Sequence, residues 1–131
     1  MSQITEYSIN LRPNVISAVS AADTQVLKLL IEAVLDDEGT LYDMLDHYCH
    51  DDRGSVSYSS VDIDEDSSTV SQDKAGFLFV TFDEVAHYGC KDINKNDYRE
   101  CEIGFKINVP AKKITFSVPE SSRASYYHGN D

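Results

Sequence analysis

The strongest constraint on the fold is a change of hydrophobic period partway along the chain. In the first half, apolar residues recur every three or four positions, as on one face of an α-helix. In the second half they alternate with polar residues, as along a β-strand with one buried face. Helical patterns followed by strand patterns are typical of an α+β domain. We therefore expect N-terminal helices packed on one face of an antiparallel β-sheet meander.

The chain length and composition indicate one folded unit. Its 131 residues fit a single domain, since domains most often contain roughly 100–150 residues. Hydrophobic residues make up 41% of the sequence, enough to fill a core and to argue against wholesale disorder. We expect a single domain 1–131, with a helical part at about 14–50, a sheet part at about 55–119 and a polar tail at 120–131.

Two helices are predicted in the first half. The first has Asp23 at its N-cap and Gly39 at its C-terminal end. The second begins with Thr40 as its cap and ends near His50, whereas residues 15–19 show only a weak helical pattern. The apolar stripes of the two helices are Val26, Leu27, Leu30, Ile31 and Val34, and then Leu41, Met44, Leu45 and Tyr48.

Four strands are predicted in the second half. Residues 98–109 alternate most regularly and form a hairpin with 113–118. Residues 76–85 are apolar on both faces, which indicates a central strand. Residues 55–63 alternate with a phase slip that indicates a bulge. Polar loops are predicted at 64–74 and 89–97.

Clustered acid is the main indication of function. The chain contains 23 Asp and Glu against 11 Lys and Arg, for a net charge of −12. A strongly negative surface repels nucleic acid and anionic membrane and attracts basic surfaces. We therefore expect a basic protein partner, with no direct nucleic-acid binding and no membrane binding. The clusters are Asp36–Glu38, Asp51–Asp52, Asp62–Asp66, Asp83–Glu84, and Glu100 with Glu102.

No complete catalytic motif is present in the sequence. It has no Gly-rich phosphate loop, no GxSxG and no HExxH. His87 and Cys90 are spaced as a base and a nucleophile, but such a pair also needs an orienting group and an oxyanion hole. We expect no enzyme activity and no cofactor, and keep a small Cys-dependent enzyme as an alternative.

Two groups of residues are candidate metal ligands. The segment Asp62–Asp73 matches the ligand spacing of a calcium loop, but Ser67 stands where the sharp turn requires glycine. His47, Cys49 and His50 lie close together without the spacing of a four-ligand zinc site. We expect no metal, with a calcium-binding module as an alternative.

Two features predict a cytoplasmic location. The N-terminus lacks a basic start followed by an apolar run, which a signal peptide requires. The three cysteines, Cys49, Cys90 and Cys101, are odd in number and have no framework spacing, which fits a reducing compartment.

The expected binding face is the side of the sheet opposite the helices, together with its loops. Docking residues concentrate in such loops, and tyrosine is enriched in binding hot spots. Tyr88 and Asp92 flank Gly89, where a turn can present both side chains together. The predicted partner-binding residues are Asp62, Asp64, Asp66, Asp83, Tyr88, Asp92, Tyr98, Glu100 and Glu102.

One segment resembles a known type of protein. The stretch GFLFVTFDEVAHYGCKDINKNDYRECEIGFKINVPAKKITFSV, about a third of the chain, resembles the C-terminal sheet of certain immunity proteins of bacterial toxin systems, including contact-dependent growth inhibition. The resemblance implies a cognate basic toxin domain, often a nuclease, that is bound and held inactive. The alternative inhibitor is a nucleic-acid mimic of the anti-restriction or anti-CRISPR type.

Overall fold

The computed structural model describes residues 4–21, 24–51, 53–88 and 93–120, and these form an α+β fold as predicted. In chain order the elements are β1 (Ile4–Asn10), α1 (Pro13–Ser20), α2 (Val26–Asp36), α3 (Glu38–Asp46), β2 (Ser55–Val56), a 3-10 turn (Tyr58–Ser60), β3 (Asp62–Val70), β4 (Ala75–Tyr88), β5 (Ile93–Asn108) and β6 (Lys113–Pro119).

The described strands form one antiparallel sheet of six strands. Its order is β1-β6-β5-β4-β2, and β3 also pairs with β4. The predicted meander of the last three long strands is confirmed, and Lys112 closes the β5–β6 hairpin with a φ of 56°. β2 and β3 follow one another along the same edge of β4, and the 3-10 turn lies between them. The predicted 55–63 strand is therefore interrupted by this turn and not by a bulge.

The helix boundaries differ from the predicted ones. Gly39 lies inside the first turn of α3 and does not end the preceding helix. Asp37, not Thr40, caps α3, because its carboxylate accepts the backbone N–H of Thr40 at 3.4 Å. The helix ends at Asp46, about one turn before the predicted end. The predicted cap Asp23 lies outside the described residues.

Three strand segments were not predicted. β1 lies before the predicted helical part and pairs with β6, opposing Tyr7 to Phe116. Much of the predicted loop 64–74 belongs to β3, and the chain reverses only at residues 71–74, where Lys74 has a φ of 67°. The described part of the predicted loop 89–97 is the start of β5.

One hydrophobic core joins the helices to the inner face of the sheet. The predicted apolar stripes of the helices belong to this cluster, except Leu27 and Tyr48, which are partly buried and pack against it. The sheet curls, so that α3 contacts both β1 and β2, the strands at its two ends. Buried members of the cluster from the helices and the sheet include Leu30, Ile31, Val34, Leu45, Val80, Phe82, Ile103, Phe105, Ile107 and Phe116.

Candidate functional site

The strand register brings most of the predicted binding residues onto one surface. On the outer face of the sheet, Thr81 of β4 lies between Asp62 of β3 and Glu100 of β5. One step along, Phe79 lies between Asp64 and Glu102 in the same way, and Asp83 pairs with Tyr98 at the end of the row. We call this surface the acidic face and define it by Asp62, Asp64, Asp83, Tyr98, Glu100 and Glu102.

The acidic face presents its charges around a partly apolar floor. Glu100, Glu102 and Asp62 are exposed, whereas Phe79 and Thr81 beneath them are half-buried. Tyr98 is 62% exposed, and its hydroxyl donates to a carboxylate oxygen of Glu100 at 3.3 Å. The face therefore combines carboxylates with an accessible aromatic ring, the composition expected at a docking surface for a basic protein.

Positive charge is separated from the acidic face on the described part of the sheet. Alternation along β5 directs Arg99 to the inner face. Lys95, with the same parity, makes an ion pair with Asp97 at 3.4 Å. The next basic residue on the outer side of β5 is Lys106, which follows Gly104. The charged residues that define the acidic face are thus all negative, across three neighbouring strands.

Asp64 shapes the backbone beside the acidic face. Its carboxylate accepts the backbone N–H of Asp66 at 3.1 Å and the hydroxyl of Ser67 at 2.9 Å. Ser68 then donates to the Asp64 carbonyl at 2.7 Å and accepts the N–H of Phe79 at 2.9 Å. Five steps along β3 consequently match two along β4, which is an enlarged β-bulge. Asp66 is exposed in this bulge, beside the ladder of the acidic face.

The two members of the Asp83–Glu84 cluster face opposite sides of the sheet. Asp83 points outward, whereas the Glu84 side chain is only 1% exposed. Its carboxylate accepts the backbone N–H of His50 at 3.0 Å and of Asp51 at 2.8 Å, and pairs with the Arg99 guanidinium at 2.8 Å. Burial raises the pKa of Glu84, but the two backbone N–H groups and Arg99 together hold that pKa below its ordinary value.

Gly54 is required where the chain passes over Glu84. A Cβ placed on Gly54 would lie 1.9 Å from a carboxylate oxygen of Glu84. The strand alternation places Glu84 in the inward series with Leu78, Val80 and Phe82. That alternation was the signal that could have identified this buried carboxylate from sequence.

The loop that was predicted to present Tyr88 and Asp92 is only partly described. The backbone of Tyr88 ends β4 opposite Ile93, but its side chain is outside the described atoms. Asp92 lies outside the described residues, as does Cys90 of the predicted nucleophile–base pair, and the same holds for the side chain of His87. The structure therefore brings together Asp62, Asp64, Asp83, Tyr98, Glu100 and Glu102, with Asp66 beside them.

The acidic clusters of the helical part have structural contacts. Asp36 forms an ion pair with Arg12, and its neighbour Asp37 caps α3. Asp51 accepts the backbone N–H of Arg53 at 2.9 Å. These contacts link the carboxylates to local turns and helix ends, in contrast to the outward row on the sheet.

A second surface, which the sequence analysis missed, lies between α3 and the two ends of the sheet. We call it the aromatic cleft. It measures about 530 Å³, within the range of roughly 300–1,000 Å³ typical of ligand sites. The described residues that line it include no lysine or arginine. They are Tyr7, Tyr42, Asp43, Asp46, His47, Ser55, Val56 and Tyr58.

Two aromatic pairs fix the walls of the aromatic cleft. Tyr42 and Tyr58 stack with ring centroids 4.1 Å apart and an angle of 23° between the rings. The Tyr7 hydroxyl lies 2.8 Å from Nε2 of His47, whose Nδ1 lies 2.8 Å from the carbonyl of Pro119. Because a carbonyl only accepts, Nδ1 carries the proton, and in the neutral ring Nε2 accepts from Tyr7. Burial, followed by the charges of Asp43 and Asp46, raises the pKa of Tyr7.

Metal binding has no support among the described side chains. None of them forms a group of three or more His, Cys, Asp or Glu that could hold a metal ion. The predicted calcium segment is largely strand β3, and His47 is engaged by Tyr7 and Pro119. The zinc candidate Cys49 is buried. Burial, together with the nearby Cys49, raises the pKa of the Cys101 thiol to about 12.

Comparison with protein-family models, with curated proteins and with solved structures found no match to this chain. None of the helices in the described ranges is long and apolar enough to cross a membrane.

Proposed function

We propose that this chain is a non-catalytic immunity protein that binds a basic toxin domain through the acidic face and keeps it inactive. The observation that carries the proposal is the row of five carboxylates across β3, β4 and β5. The row has no basic residue within it among the described residues. A ladder of this kind offers one continuous negative surface.

A nuclease toxin is the partner class that fits this surface best. An enzyme that acts on nucleic acid must be basic where it meets phosphates. An acidic inhibitor would therefore be drawn toward the surface that the substrate needs, and charge complementarity would speed its capture. Occupying that surface would exclude the substrate without any chemistry on the inhibitor.

The centre of the acidic face supplies contacts that charge alone lacks. Tyr98 is exposed, and Phe79 lies half-buried between two carboxylates. Aromatic residues surrounded by polar ones are the usual hot spots of protein interfaces. Exposed charges would then set the association rate, while desolvation of the aromatic contacts would set the dissociation rate.

The proposal includes a cytoplasmic site of action. An immunity protein protects the cell from a toxin that has reached its interior, where the nucleic acid lies. The odd number of cysteines without framework spacing fits that reducing compartment.

The test begins with the gene that neighbours this chain's own, which under this proposal encodes the toxin domain. The purified domain should form a complex that survives gel filtration, and its nuclease activity should fall to zero at one equivalent of this protein. Raising the salt concentration should slow association steeply, since exposed charges are screened beyond ~8–10 Å near physiological ionic strength.

Charge-reversal variants locate the surface. Glu100→Lys and Glu102→Lys should each weaken the complex roughly tenfold or more, because like charges facing each other cost several kcal/mol. Glu32→Lys, an equal charge change at an exposed site on α2, is the matched control and should bind like the original protein. Equal losses in all three variants, or salt-independent association, would show that the acidic face is not the docking surface.

The same measurements separate this proposal from nucleic-acid mimicry. A mimic should bind many unrelated basic DNA-binding proteins with comparable affinity, whereas an immunity protein should prefer its cognate toxin by orders of magnitude. Absence of both a neighbouring toxin gene and a tight complex would refute the immunity proposal.

A further inference from the structure

The aromatic cleft contains the elements of a cation-binding site. Three tyrosines and two aspartates line it. The electron-rich faces of aromatic rings attract cations, and a nearby carboxylate adds a direct ionic contact. Tyr58 is 69% exposed, so that a side chain arriving from solution can reach its stack with Tyr42.

Asp43 supplies the ionic contact of the aromatic cleft. It is exposed on α3, and its carboxylate makes no hydrogen bond or ion pair with another described residue. Asp46 lies three residues further along, on the same side of the helix. Both carboxylates contribute to raising the pKa of Tyr7, because their charges lie near this wall of the cleft.

The cleft is held open by contacts that do not need a ligand. His47 connects Tyr7 of β1 to the carbonyl of Pro119 at the end of β6. The opposite wall is fixed by the Tyr42–Tyr58 stack, which joins α3 to the 3-10 turn. A site whose walls are already ordered loses less conformational entropy on binding.

We propose that the aromatic cleft receives an arginine side chain from a protein partner. A guanidinium is planar, so it can stack on tyrosine while its edge donates paired hydrogen bonds to a carboxylate. The ammonium group of lysine is a compact, strongly hydrated point charge, and it cannot stack on an aromatic ring as a planar guanidinium does. A stacked tyrosine pair and the Asp43 carboxylate lining one cleft therefore favour arginine over lysine.

This inference goes beyond the acidic face and stands apart from toxin inhibition. Its test needs no identified partner, because N-acetyl-arginine methylamide presents the same guanidinium. In an NMR titration of the whole protein, backbone amide signals near Tyr42, Asp43 and Tyr58 should shift and saturate. The dissociation constant should be about a millimolar, as expected for a ligand of ~15 heavy atoms at ~0.3 kcal/mol each.

The matched control ligand is N-acetyl-citrulline methylamide, which has nearly the same shape but a neutral urea group. It should cause no saturable shift at these amides, and N-acetyl-lysine methylamide should bind more weakly than the arginine compound. Equal responses to the arginine and citrulline compounds would refute cation binding. Equal binding of the lysine compound would refute the preference for a guanidinium.

Two variants test whether the named residues form the site. Asp43→Asn and Tyr58→Leu should each weaken binding of the arginine compound roughly two- to fivefold, the scale of exposed ionic and cation–π contacts. Glu100→Gln on the acidic face should leave it unchanged. Both altered side chains are exposed, and the dispersion of the amide spectrum checks folding in each variant. A loss in Glu100→Gln with none in Asp43→Asn would refute the assignment to the cleft.

Discussion

Replacing Glu84 by glutamine should remove much of what orders the chain between α3 and β2. In the original protein both carboxylate oxygens receive donors: one faces the Asp51 N–H at 2.8 Å, and the other faces the Arg99 guanidinium at 2.8 Å. Glutamine has nearly the same shape but replaces one acceptor by an NH₂ group. Whichever way the amide is oriented, one of these donors then faces another donor.

The size of the effect follows from burial. A buried donor without a partner costs about 1–3 kcal/mol, and breaking a buried ion pair costs about 3–5 kcal/mol. The Arg99 side chain remains 24% exposed, so water can partly replace its lost partner. We therefore expect Glu84→Gln to lose about 2–4 kcal/mol of unfolding free energy, or about 10 °C in Tm.

Urea unfolding followed by circular dichroism measures this difference. The midpoint should fall while the denaturant slope stays constant, which identifies a change in stability without a change in the unfolded chain. Glu100→Gln alters the same atoms at an exposed position and should have little effect. A loss below about 1 kcal/mol in Glu84→Gln, the size of an ordinary surface change, would refute the structural role of this carboxylate.

The remaining predictions concern the same fold. Gly54→Ala should destabilise the fold by more than about 1 kcal/mol, because the added Cβ would displace the Glu84 carboxylate. Gly39→Ala should stabilise it by about 0.5–1 kcal/mol in the same assay, because Gly39 lies in a helix and its added Cβ would meet no atom within 4 Å. Phe105→Ala should cost ~3–5 kcal/mol on chemical denaturation, since Phe105 is 5% exposed, and a loss under ~1 kcal/mol would contradict its core position. The original protein should exceed Glu84→Gln in unfolding free energy by a constant amount above pH ~5. Because the folded pKa of Glu84 is lowered, this difference should disappear as acid protonates Glu84 below its unfolded pKa of ~4.3. A difference that persists at the lowest pH would contradict this.

The long periodic elements could be predicted from sequence because one face of each is buried. The alternation of Ile103, Phe105 and Ile107 defined β5, and Leu30 with Val34 defined α2. The boundaries were less determined, since Asp37 and Thr40 are both good capping residues. The structure uses Asp37, and Gly39 lies inside α3, where an added Cβ would meet nothing within 4 Å.

The missed strands have weak patterns for a physical reason. β1 lies at the end of the sheet formed by the described strands and pairs with β6 there, and its residues are mostly exposed. β3 is rich in Asp and Ser, which are poor strand formers, so composition favoured a loop. Its strand conformation depends on hydrogen bonds to β4, including the N–H of Phe79 to Ser68 across the bulge. Such pairing is a tertiary property that local pattern does not contain.

The two candidate surfaces differ in how much the sequence could reveal. Glu100 and Glu102 were predicted to face outward because alternation along β5 fixes their side. By its charge Glu84 belongs with the surface acidic residues. Its position two residues after Phe82 along β4, however, places it on the same inner face, where it is buried. The aromatic cleft could not be predicted from sequence, because Tyr7 lies in a strand that was not predicted and Tyr58 lies in a turn that was not predicted.

The 3-10 turn joins the aromatic cleft to the acidic face. Tyr58 stacks in the cleft, and two serines beside it contact the backbone of Asp83. The Ser57 N–H donates to the Asp83 carbonyl at 2.9 Å, and the Asp83 N–H donates to Ser60 Oγ at 2.7 Å. Asp62 follows the turn directly and begins the acidic row. Under the two proposals taken together, one basic partner would cover both surfaces, with an arginine in the cleft and its wider positive patch over the sheet. In such a complex, losses from distant changes such as Tyr58→Leu and Glu100→Gln should add, because independent sites contribute separately to one free energy of binding.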